Sequence, residues 1–77
     1  MSYEYIKVQL AKIDLGYDLD DCLIQIGVYA DLIPVGEPLD KVDKAGKSYR
    51  EKINTFISDF KAIVALSKTI EQIKELV

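Results

Sequence analysis

Three groups of residues have types and spacings that could do chemistry. Asp18, Asp20 and Asp21 place three carboxylates within one turn of chain. Hard cations want several oxygens, but the calcium-loop pattern, with its central glycine and distant glutamate, does not follow these residues. The same aspartates suit a helix N-terminus. Asp18 can cap it, Asp18 and Asp21 have capping-box spacing, and Asp20 and Asp21 carry charge that favours that end of the helix dipole. They read as capping residues and, with Asp31, as an acidic surface. No metal ligands are assigned.

The second group is the lone cysteine. Cys22 lies among apolar residues, and the chain has no histidine. Ser–His and Cys–His activation of a nucleophile therefore have no base to use. One cysteine cannot form an internal disulfide and, without histidine, does not make a structural zinc site. Cys22 reads as a buried, inert thiol. No pair of carboxylates stands out for acid–base work, so the expectation is a non-enzyme without cofactor.

The third group is basic: Lys41, Lys44, Lys47, Arg50 and Lys52. Gly46-Lys47-Ser48 looks like the tail of a phosphate-binding loop. That motif needs an earlier glycine where this chain has Lys41, and a strand before it. Lys44, Lys47 and Arg50 are nevertheless about a helical turn apart, with Tyr49 among them, a set able to meet phosphates. Asp40, Asp43 and Glu51 interrupt the cluster and the net charge is −3, so a solvated face is the simpler reading.

Charge is unevenly placed. Residues 1–40 hold eight acids and two bases, and residues 41–77 hold eight bases and five acids. Either the two halves lie against each other, or the acidic half faces a basic partner; the first is the default.

The elements that must position these groups are helical. In 3–13, Tyr3, Ile6, Leu10 and Ile13 fall at helical spacing, although Ile6, Val8 and Leu10 also alternate as in a strand. Ser2 is available as N-cap, and Gly16 can close the helix. A second helix runs from about Leu19 to Leu32, with Gly27 allowing another helix to approach. Pro34, Gly36 and Pro38 break the chain. A short helix is expected at 39–45, ended by Gly46. A long one follows at 49–76, with Ser48 and Glu51 at capping-box spacing.

Within this last stretch Val42, Tyr49, Phe56, Ile63, Ile70 and Val77 recur every seven residues. Up to Phe60 the apolar stripe is broad, as in a multi-helix core. From Ile63 it narrows to a two-helix seam. The expected fold is all-α: a single small domain spanning 1–77, a three- to four-helix bundle with a long C-terminal amphipathic helix. At 77 residues it is short enough to need regular packing or oligomerisation.

The longest uncharged run, Cys22 to Ala30, is too short to span a membrane, and the N-terminus lacks the apolar core of a signal peptide. The chain is expected to be cytoplasmic. The functional expectation is a small stoichiometric regulator, inhibitor or adaptor that binds another protein and self-associates, as a homodimer, through Ile63, Leu66, Ile70, Ile73 and Val77. The five tyrosines suit an interaction surface. The alternative is a binder of nucleic acid or a phosphorylated ligand through Lys44, Lys47 and Arg50.

Overall fold

The computed structural model describes residues 2–76, and these form three helices: α1 (Tyr3–Asp14), α2 (Leu19–Tyr29) and α3 (Tyr49–Leu76). The described residues contain no strand beyond one isolated antiparallel bridge, Val42 with Ser48.

The ends of α1 and α2 follow from their sequences. Asp18 Oδ1 accepts the Asp21 N–H at 2.9 Å, so the expected cap is made. Ser2 stands at the N-cap position of α1 without a side-chain hydrogen bond there. Both helices close in the same way. The Tyr17 N–H donates to the Lys12 carbonyl and the Gly16 N–H to the Ile13 carbonyl, with Gly16 at φ +93°. At α2, the Leu32 N–H donates to Gly27 and the Asp31 N–H to Val28. This paired pattern needs a left-handed residue just past the helix. In α2 that residue is Asp31, at φ +60°. It stops the helix at Tyr29 rather than at the expected Leu32.

An aspartate tolerates the left-handed region less well than glycine does. Asp31→Gly is therefore expected to stabilise the fold by about 0.5 kcal/mol and to raise its melting midpoint by about 3 °C. Calorimetry checks this, and a lower midpoint would contradict it.

The expected helix at 39–45 is not formed. Asp43 begins a tight turn instead: its N–H donates to the Lys47 carbonyl at 2.8 Å, and its own carbonyl accepts the Gly46 N–H at 3.1 Å. The Asp43 carboxylate accepts the N–H groups of Ala45 and Lys47, at 2.9 and 3.0 Å. A side chain that captures nearby backbone donors competes with a helix, and Gly46 completes the turn at φ +85°. Val42, which the seven-residue pattern would place on a helix face, is exposed in this connector.

The connector then delivers Ser48 to the start of α3, where its hydroxyl accepts the Glu51 N–H at 3.2 Å. The helix runs unbroken past Thr69, whose hydroxyl donates back to the Ala65 carbonyl.

The core is built around α2. Leu23 and Ile26 meet Ile6 of α1, Tyr49, Ile53 and Phe60 of α3, and Ile33 and Leu39 of the connector, all buried. Ile6, Ile26 and Ile53 lose all contact with solvent. Each such burial contributes about 2 kcal/mol. Four tyrosines are used within the chain. Tyr5 stacks on Tyr29 at 4.1 Å, Tyr3 meets Phe60 edge-on at 5.3 Å, Tyr49 is buried, and the Tyr29 hydroxyl accepts the Ser2 N–H at 2.7 Å. Cys22 is also buried, on the core side of α2.

Candidate interaction surface

The body described so far meets only the first half of α3. Its core-facing residues are Tyr49, Ile53 and Phe60, with Phe56, Ile57 and Val64 packed at the margin. Beyond Phe60 every described residue except Val64 is exposed. The remainder of α3 is thus a rod, and the molecule measures 48 × 29 × 18 Å.

The rod carries its own apolar stripe. Ile63 is 48% exposed, Leu66 60%, Ile70 44% and Ile73 55%. These values are high for large aliphatic side chains, and the four follow one another along one line of the helix. The line is not a continuation of the core-facing one. At about 100° per residue, the mean direction of the four lies about 110° round the helix from that of Tyr49, Ile53, Phe60 and Val64. The reason is in the sequence: the row that holds Ile53 and Phe60 continues as Ser67 and Lys74, while the row of Lys52 and Asp59 becomes Leu66 and Ile73. The two halves of α3 therefore present different faces. Val77, the last member of the expected seam, lies outside the described residues.

The four expected acidic residues are all exposed, Asp18, Asp20 and Asp21 at the start of α2 and Asp31 just past its end. Asp18 caps α2 and Asp31 closes it. Asp20 forms a two-pronged pair with Arg50: Arg50 Nη1 donates to Asp20 Oδ1 at 2.8 Å and Nη2 to Oδ2 at 3.2 Å. The Arg50 Nε also stands 3.7 Å from Asp40. Two parallel bonds fix orientation as well as charge. The pair joins the acidic first turn of α2 to the first turn of α3, which is how the two oppositely charged halves of the chain meet. Among the described residues no three cysteine or acidic side chains cluster closely enough to hold a metal ion.

The basic set is split. Arg50 is held by Asp20, whereas Lys44 and Lys47 belong to the exposed Asp43–Gly46 turn and its exit. Lys41 pairs with Glu37 at 3.0 Å and Lys52 with Asp43 at 3.3 Å. Lys47 also lines an open cleft of about 300 Å³ with Leu32, Lys52, Thr55, Phe56 and Asp59. Sequence reading groups Lys47 with Lys52 but not with Leu32, Phe56 or Asp59, because the connector's turn is what carries Lys47 back beside α3.

No family model, curated protein or solved structure matches this chain.

The site therefore rests on its own geometry and electrostatics. The Arg50 hydrogen bonds hold the Asp20 carboxyl below the ordinary carboxylate range, although partial burial opposes them. The backbone N–H of Lys47 is the main cause of the same downward shift at Asp43, aided by Lys52 and Ala45. A carboxylate with a lowered folded value stabilises the fold above its unfolded value, and that contribution is lost as pH falls through the folded one. The connector turn and the α2–α3 tie are thus both expected to weaken below about pH 4. An acid titration followed by circular dichroism should show a lower unfolding pH for wild type than for Asp43→Asn, whose stability will be lower at neutral pH but flatter with acid. Equal pH profiles would contradict the assignment.

Proposed function

We propose that this protein is a small stoichiometric interaction module, a regulator, inhibitor or adaptor, that self-associates through the distal half of α3. The observation that carries this reading is the uncovered stripe of Ile63, Leu66, Ile70 and Ile73, turned away from the chain's own core. Water gains little by facing four adjacent aliphatic side chains, and contiguous apolar surface of this kind marks association sites. The finer fold reading, a three- to four-helix bundle, belongs to the same proposal.

Light scattering across a concentration series tests it. Wild type is expected to exceed the mass of one chain as concentration rises. Ile70→Glu is expected to remain a folded monomer, since Ile70 stands on the rod away from the core. A wild-type chain that stays monomeric at every concentration would remove self-association.

Binding of nucleic acid or a phosphorylated ligand through Lys44, Lys47 and Arg50 draws support from Lys47 at the cleft. It loses support from Arg50, whose donors are engaged by Asp20. Such binding would fall steeply with salt. Gel shifts at low salt with Lys44→Gln and Lys47→Gln test it; no shift of any nucleic acid counts against it.

A further inference from the structure

We infer that two copies pair along this rod in antiparallel orientation, with Ile63 of one chain against Ile73 of the other and Leu66 against Ile70. The inference rests on the self-association proposed above and adds its direction and register.

The stripe itself suits a second helix of the same kind. Ile63 and Ile70 alternate with Leu66 and Ile73 at three- and four-residue steps, the spacing of a two-helix seam. Its flanks are small or polar, with Ala62, Ser67 and Thr69 beside it, so a partner backbone can come close. In the stated register every layer pairs one large aliphatic side chain with another.

Charge decides the direction. Asp59 is exposed on the same line of α3 as Leu66 and Ile73, one turn before Ile63. Lys74 lies at the flank of the line beside Ile73. Antiparallel pairing sets Lys74 about one helical turn, roughly 5 Å along the axis, from the partner's Asp59. Parallel pairing in register would instead set Asp59, on the line itself, against the partner's Asp59. It would also bring together the two bodies, whose residues 1–60 hold eleven acids and seven bases each. Antiparallel pairing sends the bodies to opposite ends of the rod. Residues 61–76 span about 24 Å, well beyond the screening length of about 8 Å at physiological salt. Opposed helix dipoles favour the same direction.

Four layers are few. They offer less than the roughly 800 Å² per partner of a standard interface, so the dimer is weak and concentration-dependent.

Cross-linking between single cysteines tests the direction. Cys22→Ala is combined with either Ile63→Cys or Ile73→Cys, and the two variants are oxidised with oxidised glutathione, singly and mixed. Two thiols then join as a disulfide while glutathione takes up the two electrons and protons. The mixture is expected to give a covalent 63–73 dimer on a non-reducing gel, with little dimer in either variant alone. Efficient cross-linking of Ile63→Cys with itself would overturn the antiparallel direction while leaving self-association intact. So would the absence of a 63–73 product in a sample that light scattering shows to be dimeric. A wild-type chain that is monomeric throughout overturns both.

Charge reversal gives a second readout that keeps the native cysteine. Lys74→Glu is expected to weaken the dimer about fivefold, and Lys74→Glu combined with Asp59→Lys to restore it. An unchanged dissociation constant in the single variant, or no recovery in the double one, would overturn the stated register.

Discussion

Replacing Gly27 with valine is expected to cost the fold about 3 kcal/mol or more. Gly27 sits where α2 meets α3. A Cβ placed there would stand 2.7 Å from Ile53 Cδ1 and 3.0 Å from both Ile53 Cγ1 and Ile33 Cγ1. Ile53 is wholly buried and Ile33 nearly so, which leaves neither room to retreat. The Gly27 carbonyl also accepts the N–H groups of Leu32 and Ile33, so a shift of α2 there would disturb the turn that ends it.

Two effects compete at this position. A glycine inside a helix costs about 1 kcal/mol relative to alanine. Overfilling a packed core costs about 1–3 kcal/mol. In Gly27→Ala these nearly offset, with a net loss of about 1 kcal/mol. In Gly27→Val two further methyl groups enter the same space and the propensity gain shrinks, so overpacking wins. Small domains have only about 5 kcal/mol of net stability, so the valine variant keeps about 2 kcal/mol or less and its urea midpoint falls by more than half. Urea denaturation measures this. A valine midpoint at or above that of wild type would mean that α2 and α3 do not meet at Gly27.

Much of the fold was legible because local signals agreed with it. The expected helix at 3–13 ends one residue later, at Asp14, and α3 spans the expected 49–76. Gly16, Asp18 and Ser48 do what their residue types allow. The connector departs from the expected helix for a specific reason. The apolar repeat points to a helix through Val42 that Gly46 would end. Yet Asp43 followed three residues later by Gly46 is also the pattern of a tight turn. Local capture of backbone donors by Asp43 outweighed a single apolar position. Asp31 gave no comparable warning, since it closes α2 in a conformation that favours glycine. The Arg50–Asp20 tie was out of reach altogether, because its partners are 30 residues apart and only the packing of α2 on α3 brings them together. The apolar stripe reads from sequence as narrowing after Phe60; that it also moves to another face of α3 shows only once Ile53 and Phe60 are seen to meet the body. What the sequence could not show was which face the body would take.

That distinction yields the second large effect, measured by one truncation made twice on one helix. Ile53→Ala is expected to destabilise by about 3–4 kcal/mol, the range for a buried isoleucine whose site cannot collapse. Ile53 is fully buried between α2 and the connector and fills the space left by Gly27. Ile70→Ala removes the same atoms from a side chain that is 44% exposed on the rod. In dilute solution its effect should lie within about 0.5 kcal/mol of zero, because alanine's higher helix propensity offsets the little burial lost. At high concentration the order of sensitivity changes: Ile70→Ala should shift the association curve while leaving the dilute urea midpoint in place. Equal losses for the two variants in dilute solution would mean that the chain covers its own distal stripe. The proposed seam would then be ordinary core, and the case for self-association would go with it.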